Sequence, residues 1–186
     1  MDFYYSENQK LIAQTILDFC KREISPNMMK WDEDQYFPIH LFKQLGELGM
    51  LGVLVPTKYG GSGLGYDEYV TIISEIAKVC GSVALSVAAH NSLCVGHILK
   101  FGSEEQKNSI LPKLVTGDVI GTLAIAETNS APSKDNISVA LKDGKLSGTK
   151  IAVPDAEVAT HAVVLAKNGD NVSLCVVDLN SDDVDI

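Results

Sequence analysis

The chain has 186 residues, with 15 basic and 24 acidic side chains and a net charge of −9. Apolar residues make up 46% of it and charged residues 21%, an ordinary globular composition that excludes intrinsic disorder. The excess of acidic side chains argues that this chain is not a protein that binds nucleic acid or anionic membranes, because such proteins bind through basic patches. Because the uninterrupted apolar runs are short and the N-terminus has no signal-peptide pattern, we expect no membrane span and a cytoplasmic or processed organellar location.

The first part of the chain, up to Gly117, is patterned as helices. Apolar residues recur at helical spacing, and two Ser-x-x-Gln capping boxes begin at Ser6 and Ser103. The predicted helices cover residues 6–24, 38–48, 66–79, 82–100 and 103–117. The fourth is apolar almost all round, which indicates a buried central helix. The glycine run 60–65 lacks the spacing of a phosphate-binding loop and predicts a tight turn between helices.

After Asp118 the apolar period changes from that of helices to that of strands. The predicted strands cover residues 119–127, 136–142, 145–153, 161–167 and 172–179, with hairpin turns at Asp143-Gly144 and Asn168-Gly169. Helices followed by antiparallel strands predict an α+β chain in two segments. The last strand leaves a sheet with open edges, which favours a continuing chain or a partner.

Two groups of polar residues are candidates for a functional site. His90, Cys94 and His97 share one helix face and have side chains that bind zinc, but the helix is apolar and offers no fourth ligand. We therefore predict no metal site and a buried Cys94 beside two hydrogen-bonded histidines. Glu127 ends an apolar strand at a loop of small polar residues, where a ligand-lining role and a structural hydrogen-bonding role are both open.

Three stretches together resemble the acyl-CoA dehydrogenase family. Residues 47–65 are similar to the family's LG…G…P..YGG.G turn, residues 90–117 contain FGSEEQK and LPKLVTG, and LAIAE at 123–127 looks like the strand entering the family's TEPxAGSD loop. The resemblance covers essentially the whole chain. It implies an N-terminal all-α helical domain, residues 1–117, followed by an antiparallel β-barrel-like middle domain, residues 118–186.

The resemblance also implies an activity. Members of the family are FAD-dependent oxidoreductases of fatty acid and lipid metabolism that oxidise the α–β bond of an acyl-CoA thioester, pass electrons to an electron-transfer flavoprotein and form oligomers. Their catalytic base is a Glu of a C-terminal helical bundle, which we expect to be absent, so no catalytic residue is predicted here. The chain would supply the N-terminal half of such an enzyme. The alternative is a non-catalytic, family-derived subunit or binding module that pairs with a full-length partner.

Several positions depart from the family pattern. Ala126 stands where the family has a flavin-contacting Thr, Ala152 replaces an aromatic residue that covers the flavin, and Pro154 replaces a Thr that bonds near N5. The residues to which the resemblance assigns FAD contacts are Ile125, Ala126, Ser130, Ser133 and Val153, with Ile125 and Val153 acting through their backbones. Ala89 and Leu93 are implied to line the acyl pocket, and both are equally consistent with the core. Glu127 matches the loop glutamate and is not expected to be the base.

Overall fold

The computed structural model describes residues 5–128, 133 and 135–186. The chain forms two compact units, residues 1–118 and 119–186. The first unit is built from helices and the second around a sheet, which confirms the α+β class. Whether these units correspond to the two family domains stays a prediction.

Seven α-helices form the first unit as described. They are α1 (Glu7–Phe19), α2 (Met28–Glu33), α3 (His40–Glu47), α4 (Tyr66–Ala77), α5 (Gly81–Ala88), α6 (Gly96–Phe101) and α7 (Glu104–Val115). A π-helical turn, Cys20–Ile24, extends α1, a second, Ala89–Val95, joins α5 to α6, and a 3-10 turn spans Thr57–Tyr59. The sequence did not predict α2, because it buries none of its residues and therefore carries no apolar stripe.

Both predicted capping boxes are present at the helix starts. The Ser6 hydroxyl accepts a hydrogen bond from the Gln9 N–H at 3.1 Å, and the Gln9 side chain accepts one from the Ser6 N–H at 2.8 Å. Ser103 and Gln106 repeat this arrangement at α7. These bonds satisfy backbone donors that a helix start leaves without an intrahelical partner, so they determine where α1 and α7 begin.

The helix from Gly81 to Phe101 is the central element of the first unit, and Val87, Cys94 and Ile98 are among its buried side chains. By length and composition alone it is the one described helix that could cross a membrane, but 56% of its apolar window is buried. A helix in the core of a protein passes the same test, which agrees with the predicted buried central helix.

The loop between α3 and α4 folds into a tight turn, as the glycine run predicted. Ser62 N–H donates to the Gly52 carbonyl at 2.9 Å, and Leu64 N–H donates to the Val53 carbonyl at 2.8 Å. A side chain at Gly61 would overlap the Val55 backbone, so this close approach of two backbone segments requires glycine.

The second unit contains five described strands. They are β1 (Gly121–Ala124), β2 (Ala140–Lys142), β3 (Lys145–Ser147), β4 (His161–Asn168) and β5 (Asn171–Asp178). β5 pairs antiparallel along the whole of β4, so β1 and β2 share the opposite edge of β4, where both run parallel to it. β2 and β3 form an antiparallel hairpin.

This sheet differs from the antiparallel, barrel-like sheet that we expected. Two of its four described pairings are parallel, and the described strands do not close into a barrel. Parallel neighbours need a long crossover connection, and residues 125–160 provide one between β1 and β4. The sequence pattern could not predict whether neighbouring strands are parallel or antiparallel, because apolar residues alternate in the same way in both cases.

The sequence predicted the position of one hairpin turn correctly and that of the other with an error of one residue. Asp143 and Gly144 both have positive φ, at 50° and 77°, between the paired Lys142 and Lys145, as a two-residue hairpin turn requires. The second turn lies one residue later than predicted. Asn168 pairs with Asn171, so the turn residues are Gly169 and Asp170.

Candidate functional site

The carboxylate of Glu127 is the hydrogen-bonding centre of the second unit. One of its oxygens, Oε2, accepts from the Ser138 N–H at 2.7 Å and from the Ser138 hydroxyl, and the other, Oε1, accepts from the Val139 N–H at 3.2 Å. Glu127 follows β1, and Ser138 and Val139 precede β2. The carboxylate therefore links the chain just after β1 to the residues just before β2.

Lys150 completes this arrangement from a third segment. Its Nζ lies 2.6 Å from Glu127 Oε1 and 3.0 Å from the Ile125 carbonyl oxygen. The side chains of Lys150 and Glu127 are only 7% and 11% exposed, so their charges neutralise each other away from bulk water. A pair this buried needs further hydrogen bonds to offset its desolvation, and Ser138, Val139 and Ile125 supply them.

These contacts set the ionisation of Glu127. Burial by itself would raise the pKa of Glu127, but hydrogen bonds from Lys150, Ser138 and Val139 outweigh it and lower the pKa to about 2. The group is therefore a carboxylate at neutral pH, with its oxygens already accepting. A general base works best with a pKa near the operating pH, so Glu127 is unsuited to that role.

The segment beginning at Lys150 lies against the segment that follows β1. Ile151 N–H donates to the Ala126 carbonyl at 2.9 Å, and the Thr122 hydroxyl donates to the Pro154 carbonyl at 2.6 Å. Val153 is half-buried and packs against the core cluster of this unit. The structure thus brings Ile125 and Ala126, which lie on one predicted flavin segment, next to the segment that carries Val153.

Backbone strain marks the same segment. Ala152 adopts a positive φ of 50°, in a region that residues other than glycine, asparagine and aspartate rarely occupy, whereas the positive φ of 53° at Asp155 is tolerated by aspartate. Such conformations persist only where surrounding contacts enforce them, and they cluster at functional positions. The hydrogen bonds of Ile151 and Pro154 on either side of Ala152 hold this backbone in place.

The remaining predicted cofactor residues are less informative. Ser133 is exposed, and its N–H donates to Asn136 Oδ1 at 2.6 Å. Ser130 lies outside the described residues. The sequence reasoning missed the pairing of Lys150 with Glu127. The only signal in the sequence was that Lys150 lies between β3 and an apolar stretch, and this position does not indicate which acidic residue it contacts.

The predicted acyl-pocket residues lie in the first unit, within the π-helical turn Ala89–Val95. Ala89 is packed in the core with 2% exposure, whereas Leu93 is half-buried. The turn has wider hydrogen bonding than an α-helix, since Gly96 N–H donates to the Asn91 carbonyl five residues back. Asn91 Nδ2 donates to the carbonyls of Val87 and Met50 at 3.1 and 3.0 Å. The second of these bonds connects the π-helical turn to the loop between α3 and α4.

A cleft of about 400 Å³ also lies in the first unit, and the sequence did not predict it. It is lined by Leu54, Leu64, Tyr66, Val95, Leu99 and Lys100, among others. Val95 and Leu99 lie four residues apart on the central helix, so one apolar stripe faces the cleft. Neither Ala89 nor Leu93 lines it.

His90, Cys94 and His97 of the central helix behave as core residues rather than as metal ligands. Burial lowers the pKa of His90 to about 4 and raises the pKa of Cys94 to about 12, so both are neutral at pH 7. His90 Nε2 lies 3.1 Å from the Leu114 carbonyl oxygen, as predicted for a hydrogen-bonded histidine. His97 departs from the prediction, because its buried Nδ1 has no hydrogen-bond partner among the described residues. Within those residues no three metal-ligating side chains come together.

Comparison with known proteins identifies relatives for this arrangement. A family model described as the N-terminal domain of acyl-CoA dehydrogenase matches residues 6–118. The mitochondrial isovaleryl-CoA dehydrogenase of Bos taurus is 39% identical over 170 residues, which cover 87% of this chain and 39% of that protein.

Solved structures agree over nearly the whole chain. An acyl-CoA dehydrogenase from Geobacillus kaustophilus superimposes with a TM-score of 0.90 at 29% identity, covering 98% of this chain and 50% of that one. A glutaryl-CoA dehydrogenase from Mycobacterium smegmatis in complex with FADH2 gives 0.89 at 29% identity, with 96% and 47% coverage. The chain spans 39–50% of the length of these three relatives. Because the family model covers more than half of this sequence, the chain belongs to the acyl-CoA dehydrogenase family.

Proposed function

We propose that this chain supplies the N-terminal half of a flavin-dependent oxidoreductase that dehydrogenates acyl-CoA thioesters. The main support is the identity of 39% to an isovaleryl-CoA dehydrogenase, which extends over both units of the chain. An electron-transfer flavoprotein as acceptor, an oligomeric state and a location in the cytoplasm or an organellar matrix belong to the same proposal. They follow from the family resemblance alone.

The residues present fit FAD through their main chains rather than their side chains. Ala126 and Val153 have apolar side chains, and Pro154 has no N–H to donate. Main-chain groups of Ile125, Ala126 and Val153 that are not bonded to Lys150 or Ile151 would hold the flavin, and the exposed Ser133 would offer its hydroxyl to a phosphate. When bound, a flavin supplies hydride acceptance, while the protein orients the reactants.

The chain's own residues would orient the substrate and hold the flavin segments in place. Glu127 and Lys150 hold the segments of Ala126 and Val153 beside each other. Leu93 and Ala89 stay proposals as residues that contact the acyl chain. We assign no residue of this chain to removal of the α-proton, because Glu127, which matches the glutamate of the loop motif, has a pKa lowered to about 2 by its hydrogen bonds and is therefore a weak base.

Flavin binding tests this proposal directly. The purified chain, incubated with FAD and passed through a desalting column, is expected to keep the visible absorbance of a flavin. Ser133→Ala is expected to weaken FAD binding roughly tenfold, since a hydroxyl bonded to a charged phosphate contributes ~1.5 kcal/mol. The matched control is Ser147→Ala in β3, also an exposed serine of the second unit, which should bind FAD as the unmodified chain does.

Turnover provides a second measurement. Isovaleryl-CoA and glutaryl-CoA, the substrates in the relatives' names, would be offered with a redox dye to the chain alone. We expect binding of the thioester without rapid dehydrogenation, because the chain contributes no assigned base. Absence of both flavin and thioester binding would contradict the proposed function.

A second candidate function rests on three substituted positions. Ala126, Ala152 and Pro154 lack the side-chain groups that the family pattern has there. They favour a non-catalytic, family-derived subunit that pairs with a full-length partner. Copurification of a longer homologous chain with a flavin-free form of this one would support this candidate. A flavin-loaded, active assembly of this chain alone would exclude it.

A further inference from the structure

Glu127 and Lys150 form a largely buried ion pair that joins three separate segments of the second unit. Glu127 Oε1 and Lys150 Nζ lie 2.6 Å apart, with the side chains 11% and 7% exposed. Through this pair and its hydrogen bonds, the segment after β1 contacts both Ser138 and the segment that begins at Lys150. Among the described residues, it is the ion pair in which both side chains are buried this deeply, since the others have at least one well exposed partner.

The pair lies beside the residues proposed to contact the flavin. Lys150 Nζ donates to the carbonyl of Ile125 at 3.0 Å, and Ile151, the next residue, donates its N–H to the carbonyl of Ala126 at 2.9 Å. Ala152, with φ of +50°, follows immediately and precedes Val153. The ion pair is therefore adjacent in sequence and in space to both flavin segments.

We propose that Glu127 and Lys150 are a positioning pair that aligns the 125–126 and 151–153 backbones for the flavin. This inference rests on the proposed function. In this arrangement backbone groups, rather than side chains, hold the flavin, so their relative placement determines its affinity. An ion pair with directional hydrogen bonds can hold that placement where Ala126, Ala152 and Pro154 contribute no polar side chain.

Charge-neutral variants test the pair. Glu127→Gln keeps the shape of the side chain but leaves Lys150 buried without a counter-charge, and Lys150→Met removes the cation. Each is expected to weaken FAD binding by at least roughly tenfold, which corresponds to ~1.4 kcal/mol. The double variant should weaken binding by less than the product of the two single effects, because residues that act as a pair are non-additive.

Val164→Ala is the matched control. Val164 belongs to the core cluster of the same unit, and its apolar side chain cannot hydrogen-bond to the ion pair, so its truncation destabilises the unit while leaving the hydrogen-bonding groups of Glu127 and Lys150 in place. We expect this variant to lower the unfolding midpoint while leaving FAD affinity within about twofold of the unmodified chain, because it removes only packing.

Hydrogen exchange supplies a readout that does not depend on flavin. In the Glu127→Gln and Lys150→Met variants, the N–H groups of Val139 and Ile151, which donate to Glu127 and to Ala126, should exchange faster relative to β4 amides than they do in the unmodified chain. If the unmodified chain binds no FAD, the proposed function fails, and the exchange comparison still decides whether the positioning pair holds the two backbone segments together. The positioning role would be overturned if Glu127→Gln and Lys150→Met bound FAD as tightly as Val164→Ala and showed the same relative exchange as the unmodified chain.

Discussion

At the scale of single residues, Glu127 and His90 show how burial acts differently on an acid and a base. Burial alone would raise the pKa of Glu127, but its donors lower it to about 2, so the carboxylate stays charged. For His90, burial is the larger effect and lowers the pKa to about 4, against the raising effect of the hydrogen bond with Leu114. One side chain is thus held ionised and the other neutral.

His90 makes stability depend on pH. The folded pKa of about 4 lies below the ordinary value of 6.5, so between these values the unfolded chain binds a proton that the folded chain does not. Stability from His90 is complete above pH 6.5 and is lost as the pH falls toward 4. We expect urea unfolding to show a loss of about 2 kcal/mol between about pH 7 and about pH 5.

The control for this prediction is His90→Gln. Glutamine does not titrate and keeps a donor for the Leu114 carbonyl, so the loss between the two pH values should shrink by the His90 contribution. The other three histidines are present in both proteins and cancel in the comparison. An equal loss in both proteins would show that His90 does not carry the effect.

At the scale of elements, contacts between backbones decide how α3 packs. A side chain at Gly46, inside α3, would overlap the backbone carbonyl of Thr116, which follows α7. Helix propensity alone would favour alanine over glycine at such a position by ~1 kcal/mol. The close approach of these two elements therefore explains why a helix interior carries glycine.

We expect Gly46→Ala to lower the free energy of unfolding by about 1–3 kcal/mol, because the added methyl forces the two backbones apart. Gly81→Ala is the matched control, since a side chain there meets nothing within 4 Å. It should be neutral or stabilise by up to ~1 kcal/mol. Urea unfolding measures both variants, and a Gly46→Ala protein as stable as Gly81→Ala would contradict the packing argument.

Elements also show where prediction from sequence succeeds. The starts of α1 and α7 were predictable, because Ser6 and Ser103 carry their capping boxes within four residues. The parallel pairing of β1 with β4 was not, because the partner of a strand is chosen by tertiary contacts far along the chain. Strand length was overestimated for the same reason. The apolar run predicted a strand over residues 119–127, whereas β1 ends at Ala124.

At the scale of the whole molecule, two units carry separate cores. The core cluster of the second unit consists of Ala124, Val139, Ala162, Val164 and Ala166, all of them beyond Asp118. The first unit has its own buried side chains, such as Ile72 and Ile76 of α4. Because each unit buries its own apolar residues, local opening of one need not open the other.

Hydrogen exchange tests this independence. Val164→Ala is expected to accelerate exchange in β4 and β5 without affecting α4, and Gly46→Ala is expected to do the reverse. The cost of Val164→Ala should be roughly 2 kcal/mol, the range for removing buried methyl groups. Uniform acceleration across the chain in both variants would show that the two units open together.

The sequence by itself determined the helical first unit, the α+β class, the capping residues and the family, because these rest on local periodicity and on motifs of adjacent residues. It also indicated Glu127 without choosing between a ligand-lining and a structural role. Only the tertiary structure decided the sheet directions and the pairing of Glu127 with Lys150. Both depend on residues distant in the chain meeting in space, and the low exposure that makes the ion pair a constraint exists only once the unit has folded.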